Sequence, residues 1–176
     1  HEYPRLGTMT RASIIVVEHG TVRHLAGCLE ALFATELPAD HFEVIVLDNA
    51  SPTPIGSGLR ARFPSVRWLE AKRNLGFAGG CAAAYRHARG DVVASVNPDC
   101  EVHHGWLGAI LEPFASDPRV GVVGGKLLHP GGRVLQHAGG RLFSNGRSEH
   151  IGEGELDAGQ HDAVRDVDYV CGAGFA

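Results

Sequence analysis

The run Ala12-Ser-Ile-Ile-Val-Val17 decides the fold class, because it is almost wholly apolar and rich in β-branched residues. Such a run lacks the polar alternation of a half-exposed strand and is typical of a strand buried on both faces of a sheet. Three further short apolar runs follow at residues 43–47, 66–70 and 92–96, and segments of helical character separate them. We therefore predict an α/β fold with right-handed βαβ units, a mostly parallel sheet and helices on both faces.

The segments between these strands predict four helices. One begins after Thr21, where apolar residues recur at helical spacing, and the others cover residues 55–63, 77–88 and 105–116. Strand character returns at 120–128 and 168–171, with an added strand or loop at 134–138 and a long polar loop at 144–166. We divide the chain into a tail at 1–11, an α/β part at 12–128, and the start of a second part at 129–176.

Composition excludes several classes of protein. The 176 residues include 16 basic and 20 acidic side chains, a formal net charge of -4, which argues against a nucleic-acid-binding surface over the whole domain. The longest apolar runs fall far short of the roughly 20 residues that a membrane helix needs, so we expect no transmembrane segment. The four cysteines form no C-x-x-C pair, and we interpret them as reduced thiols of a cytoplasmic protein.

Polar residues follow the four predicted strands, where a parallel α/β sheet binds its ligands. They are Glu18-His19, Asp48-Asn49, Arg73-Asn74 and Asn97-Pro98-Asp99. Polar residues at these positions also have a simpler explanation, since strand ends need turns and helices need caps. Four successive polar strand ends nevertheless favour a binding site.

Three of these features suggest specific chemistry, and each has a structural alternative. Asp48 can accept a hydrogen bond from the imide of uracil or thymine, or it can cap its own turn. The glycine-rich stretch at 74–80 allows a ligand close to the backbone, or a helix close to the sheet. Asp99 suits Mg²⁺ or Mn²⁺, which bind through one or two carboxylates plus substrate phosphates, or it caps a helix.

Common catalytic motifs are absent from the sequence. There is no G-x-G-x-x-G after the first strand, no phosphate-binding loop around Gly124-Gly125-Lys126, no H-E-x-x-H and no G-x-S-x-G. The neighbours His103 and His104 would point apart, so we expect no shared metal there. His137 and His150 are weaker candidates for a substrate cleft.

Seven ordered motifs, which span residues 12–176, carry a family resemblance. They are Ser13-Ile-Ile-Val-Val17, Val46-Leu-Asp-Asn-Ala-Ser51, Arg73-Asn-Leu-Gly-Phe-Ala-Gly-Gly80, Val96-Asn-Pro-Asp99, Val134-Leu-Gln-His-Ala-Gly139, Gly152-Glu-Gly-Glu-Leu-Asp-Ala-Gly-Gln160 and Val167-Asp-Tyr-Val-Cys-Gly-Ala173. In this order they resemble the inverting family 2 glycosyltransferases of the GT-A fold, a Rossmann-like architecture, and especially the bacterial rhamnosyltransferase-like branch. The resemblance implies sugar transfer from a UDP- or dTDP-sugar, dTDP-rhamnose among them, to an acceptor hydroxyl in cell-envelope or exported polysaccharide.

The resemblance also implies roles for individual residues. Residues 12–128 would bind the nucleotide sugar, and residues 129–176 would begin the acceptor side. The acceptor would be a carbohydrate or a lipid-linked molecule, and the protein would work in the cytoplasm, at the inner face of the membrane. The donor-side residues are Val17, Glu18, His19, Asp48, Asn74, Gly76, Asn97 and Asp99, with Asp99 also holding Mg²⁺ or Mn²⁺; the acceptor-side residues are His137, Cys171, Gly172 and Ala173.

This sequence departs from the family pattern in places. The D-x-D element reads Asn97-Pro98-Asp99, with one carboxylate fewer. The family places its catalytic base in an acidic stretch after the Gly172-Ala173 segment, so we expect the base beyond Ala176 and assign none here. Two alternatives follow: a nucleotide-sugar-binding module without activity, or a metal-dependent hydrolase of nucleotide diphosphates that uses the histidines.

Overall fold

The computed structural model describes residues 11–176. The predicted tail at 1–11 therefore lies almost wholly outside the described residues. Within this described part of the chain there are four helices: α1 (Val22–Phe33), α2 (Ser57–Arg62), α3 (Gly76–Tyr85) and α4 (Trp106–Ser116). The strands are β1 (Ala12–Glu18), β2 (Phe42–Asp48), β3 (Arg67–Glu70), β4 (Val92–Val96), β5 (Leu127–Leu128), β6 (Leu135–His137), β7 (Gly140–Leu142), β8 (Ser148–His150) and β9 (Gly174–Phe175).

The main sheet has five strands in the order β3-β2-β1-β4-β9. The first four are parallel and β9 runs antiparallel to β4, so the predicted mostly parallel α/β sheet is confirmed. Every residue of β1 is buried, as the unbroken apolar run predicts for a central strand. Glu18 pairs with Asp48 in the register of β1 and β2, which brings the carboxyl ends of these two strands level.

Helices cover both faces of this sheet. Side chains alternate along each strand, so successive residues of β1 point to opposite faces. Ile14 and Val16 point into the larger core, with Leu29 of α1 and Leu111 of α4. Ile15 and Val17 point into a smaller core against Ala84 of α3. A fully buried leucine such as Leu29 contributes roughly 1.5–3 kcal/mol, so the two cores fix the helices on which the strand-end loops rest.

The second half of the chain corrects two strand predictions. Within 120–128, only β5 forms a strand; it pairs with β6 and stays outside the main sheet. Three glycines in this stretch weaken it as a strand. Residues 168–171 hold a single bridge, from Tyr169 to Gly140, and the strand that joins the main sheet is β9.

Two small antiparallel pairs, β5-β6 and β7-β8, form in this region. β6 lies in the stretch expected to be an added strand or loop, and β8 falls within the expected long loop at 144–166. No helix within residues 11–176 has the length and apolar character needed to cross a membrane. The four cysteines, all within this range, are free.

Candidate functional site

The carboxyl ends of β2, β1 and β4 form one edge of the molecule. Asp48 ends β2 and Asp99 follows β4, with β1 between them. Since neighbouring strands are about 4.8 Å apart, the two backbones are roughly 10 Å apart across the sheet. The predicted site residues Asp48 and Asp99 thus follow strands whose carboxyl ends lie at the same edge of the sheet.

Asp48 is mostly buried and shapes its own turn. Its Oδ1 accepts a hydrogen bond from the Ser51 amide at 2.8 Å. Ala50 takes a left-handed conformation with φ 58°, and the Ser51 hydroxyl donates to the backbone carbonyl of Glu18 at 3.3 Å. The capping alternative is therefore present in the structure. Within the described residues, however, Asp48 Oδ2 accepts no hydrogen bond, so one carboxylate oxygen remains for a ligand.

The Glu18 side chain has a structural role at this edge. It is fully buried, and its two carboxylate oxygens accept hydrogen bonds from the amide and the hydroxyl of Thr21, both at 2.6 Å. A carboxylate next to the first turn of α1 also interacts favourably with the helix dipole. The structure therefore uses the Glu18 side chain to begin α1. His19, in contrast, is exposed, with Nδ1 3.1 Å from the carbonyl oxygen of Asn49.

Asn49 is the central residue of this edge, and sequence reasoning assigned it no role. It is 2% exposed, and its Oδ1 accepts a hydrogen bond from the Leu75 amide at 3.0 Å. Its Nδ2 donates to Asn74 Oδ1 and to the Gly76 carbonyl, both at 3.1 Å. The Asn49 side chain thereby ties the end of β2 to the turn before α3. Its position directly after a buried strand was the available signal.

The predicted donor residues Asn74 and Gly76 lie in that turn. Asn74 Oδ1 accepts a hydrogen bond from the Gly76 amide at 2.7 Å, and Gly76 has φ 70° with open space where a side chain would stand. Further along α3, a Cβ at Gly80 would lie 2.7 Å from a methyl carbon of Val17. The glycine-rich stretch therefore serves two purposes: a left-handed turn facing solvent at Gly76, and close helix packing at Gly80.

The predicted acceptor-side segment, residues 171–173, borders the same edge. The Asn97 amide donates to the Ala173 carbonyl at 2.9 Å, next to the β4-β9 pairing. A Cβ at Gly172 would lie 3.6 Å from the ring of Phe77, which is 45% exposed at the start of α3. The residues predicted for the donor side and the predicted acceptor-side residues 171–173 therefore lie at the same edge of the sheet.

Two thiols near this region are poor nucleophiles. Burial raises the pKa of Cys28 to about 12, with nearby Cys100 and Asp99 adding to the effect. Burial also raises the pKa of Cys100 to about 11, assisted by Asp99 and Cys171. Thiols with such pKa values stay protonated at neutral pH, so Cys28 and Cys100 do not supply a reactive thiolate.

Residues 11–176 contain no cluster of three or more histidine, cysteine or acidic residues that could hold a metal ion. Asp99 is an exposed single carboxylate after β4. Mg²⁺ and Mn²⁺ bind proteins through one or two carboxylates when substrate phosphates supply other ligands. Asp99 therefore fits an ion that arrives with a diphosphate, and it does not by itself form a metal site.

His137 lies away from solvent. It is 1% exposed, and its Nδ1 is 3.1 Å from Nδ1 of His150. The buried imidazole gives no support to a hydrolase that would use this histidine on a substrate.

A cavity of about 350 Å³ opens beside the turn before α3. Asp48 and Asp99 do not line it. Its walls combine apolar side chains of β2, β3 and α3 with basic residues, among them Leu47, Leu69, Leu75, Lys72, Arg73 and His87.

The fold and this edge define a GT-A type of α/β domain. A mannosyltransferase from Pyrobaculum calidifontis, solved in complex with GDP-Man and Mn2+, superposes with a TM-score of 0.61 at 23% identity, over 69% of this chain and 37% of that chain. The model of glycosyl transferase family 2 matches residues 13–168, and the chain belongs to this family. The family resemblance inferred from the sequence is thus confirmed.

Curated relatives include a bacterial O-antigen biosynthesis protein and a bacterial rhamnosyltransferase. The O-antigen biosynthesis protein RfbC of Myxococcus xanthus is 33% identical over 152 residues, which are 84% of this chain and 12% of that protein. The N-acetylglucosaminyl-diphospho-decaprenol L-rhamnosyltransferase of Mycobacterium tuberculosis is 28% identical over 137 residues, 71% of this chain and 44% of that protein. The chain thus spans less than half the length of both relatives.

Proposed function

We propose that this chain is the donor-binding part of a glycosyltransferase that moves a sugar from a nucleoside-diphosphate donor to an acceptor hydroxyl with inversion. The observation that carries the proposal is the placement of Asp48 and Asp99 on either side of β1, at the edge where residues 171–173 lie. Family membership adds the reaction class. In such a reaction the protein acts mainly by orienting the donor and stabilising charge on the leaving diphosphate.

On this proposal the donor base is a pyrimidine, held by the free Oδ2 of Asp48 and bordered by Val17 and His19. Asn74 and Gly76 lie beside the nucleoside. Glu18 acts indirectly, because its carboxylate holds Thr21. We propose a pyrimidine because the Asp48 carboxylate accepts hydrogen bonds and therefore matches the imide N–H of uracil or thymine.

Asn97 and Asp99 would contact the ribose and a divalent ion, Mg²⁺ or Mn²⁺. The exposed Asp99 carboxylate can contribute one oxygen ligand while the diphosphate contributes others. A bound divalent ion would act as a Lewis acid on the leaving diphosphate. The mannosyltransferase with a similar fold was solved with Mn2+, which supports testing that ion first.

The acceptor side would include residues 171–173, and His137 would help to position them. A carbohydrate or lipid-linked acceptor of cell-envelope polysaccharide is proposed from the O-antigen and rhamnosyltransferase relatives. The reaction would take place in the cytoplasm at the inner membrane face. No acid among the described residues is assigned as the catalytic base, since Asp166 and Asp168 precede the segment after which the family places it.

A thermal-shift panel of UDP, dTDP, GDP and ADP, each with and without Mn²⁺, tests this proposal, because a ligand that binds only the folded state raises Tm. We expect the largest shifts with UDP or dTDP plus Mn²⁺. Asp99→Asn should remove the Mn²⁺-dependent part, while Asp91→Asn, at the opposite end of β4, should retain it. Asp48→Asn should reduce the preference for pyrimidines.

Equal shifts for all four nucleotides in the wild-type protein would remove Asp48 from base recognition, and a preference for GDP would reassign the donor. An absence of any nucleotide-induced shift would reject the donor site. Binding without sugar transfer to any acceptor would favour a binding module instead.

A further inference from the structure

The buried His137 of β6 contacts the exposed His150 of β8. Their Nδ1 atoms are 3.1 Å apart, and the rings meet edge to face at 79° with centroids 4.8 Å apart. At this distance the Nδ1–H of one ring donates a hydrogen bond to the Nδ1 of the other. In either tautomer, Nε2 of His137 is buried without a hydrogen-bond partner among the described residues.

The ring of Tyr169 lies next to both histidines. Its ring centroid is 5.8 Å from that of His137 and 5.9 Å from that of His150. Its hydroxyl donates to the Glu149 carbonyl at 3.0 Å, and its own carbonyl accepts from the Gly140 amide at 3.0 Å. A Cβ at Gly140 would lie 2.1 Å from the Tyr169 ring, so the ring is packed directly against the β7 backbone. The Tyr169 ring therefore packs beside both imidazoles as well as against the β7 backbone.

Tyr169 precedes the acceptor-side segment 171–173 by two residues, and that segment is held to β4 through the Asn97 amide. We propose that His137 is a positioning residue, which holds the acceptor-side segment in place through Tyr169, and that acid releases this support by placing a second proton on the His137–His150 pair. The importance of the segment for acceptor binding rests on the proposed function. The acid response of the pair does not.

The surroundings of His137 determine the direction of the response. Burial lowers the pKa of His137, the nearby His150 lowers it further, and Glu153 opposes the shift. In the folded protein the pKa of His137 lies below the ordinary value near 6.5. The stability that the neutral His137 contributes is therefore fully present above about pH 6.5, and it is lost as the pH falls towards the folded pKa. The titratable and charged groups on the elements around the pair are His150, Tyr169, Glu149, Glu153, His161 and Arg165.

Hydrogen exchange of the complete chain between pH 7.5 and 5.5, without ligand and corrected for intrinsic rates, tests the proposal. The amides of Ala138 and Ile151 report on the contact between residues 138–139 and Ile151, the Gly140 amide reports on its bond to Tyr169, and the Asn97 amide reports on the acceptor-side segment. We expect protection at all four to fall with acid, by up to about tenfold for each unit by which the His137 pKa is lowered. The Val16 amide in the core of β1 should keep its protection.

Variants separate the two histidines. His150→Asn keeps a hydrogen-bonding group but removes the second charge, so the acid-induced loss should become smaller. His137→Gln should abolish it, and the exposed His103→Asn, in the loop before α4, should behave as wild type. If His137→Gln does not fold, the comparison of wild type with His150→Asn decides.

Unchanged protection across the pH range, or equal losses in wild type and His150→Asn, would overturn the proposal. So would loss of protection at Ala138 and Ile151 with none at Asn97, since the support would then not reach the acceptor-side segment. Because no nucleotide is present, this experiment can fail while the donor site stands. Failure to bind nucleotides would likewise leave the exchange result intact.

Discussion

Replacing Asn49 with alanine removes three hydrogen bonds that join the end of β2 to the turn before α3. A typical intramolecular hydrogen bond contributes about 0.5–1.5 kcal/mol net. Leu75 and Gly76, two of the partners, are exposed and can bond to water after the substitution, so we expect the lower part of the combined range. The expected loss in the free energy of unfolding is roughly 2 kcal/mol, or about 4–8 °C in Tm for a chain of this size.

The variant should also weaken nucleotide binding beyond its effect on folding, because the turn that carries Asn74 and Gly76 loses its anchor. Urea unfolding gives the stability, and calorimetry with UDP and Mn²⁺ at a temperature where the variant is fully folded gives the affinity. Asn49→Asp keeps the acceptor for the Leu75 amide but places a buried carboxylate oxygen against the Asn74 and Gly76 oxygens, so it should be no more stable than Asn49→Ala. Asn145→Ala removes an exposed turn bond to the Arg147 amide and is the matched control.

The reasoning would be refuted if Asn49→Ala unfolded within about 0.5 kcal/mol of wild type, the scatter of surface substitutions. Full nucleotide affinity in a destabilised Asn49→Ala would limit the residue to a structural role.

Other predictions test packing, thiol chemistry and the loop after β8. Gly80→Ala should be less stable than Gly58→Ala by about 1–3 kcal/mol in urea unfolding, because its Cβ overlaps Val17 while Gly58 faces open space; equal stabilities would contradict the close packing. At pH 8, iodoacetamide should label Cys28 only after unfolding, since its pKa is raised to about 12; rapid labelling of the native protein, read by mass spectrometry, would count against this. Lys126→Met removes ion pairs to two aspartates of the loop at 157–162, so limited proteolysis should cut that loop several-fold faster, and unchanged cleavage would show that other contacts hold it.

The main sheet was predictable because each of its parallel strands carries a local signal. The run at 12–17 is buried on both faces, and only a central strand accommodates such a pattern. The polar ends of β2 and β4 were also visible, because turn-forming residues follow each apolar run. That Asp48 and Asp99 lie at one edge follows from parallel pairing alone.

The remaining features depend on partners distant in the sequence. Asn49 acts through Leu75 and Gly76, about 26 residues away, and no local pattern indicates such a link. His137 and His150 lie on strands of only three residues each, too short to carry a clear alternating pattern in the sequence. For the same reason strand character was misplaced at 120–128 and 168–171, where long-range pairing decides which residues join the sheet.

The pairing of β9 with β4 has a consequence for how the chain tolerates cleavage. β9 covers the outer side of β4, and Ala176 exchanges two backbone hydrogen bonds with Val123. A protease cut that separated β9 from the domain would leave backbone groups of Ser95 and Val96 without their partners at the edge of β4. Uncovered strands of this kind recruit other chains, so shortened products of this protein should self-associate into aggregates rather than persist as monomers.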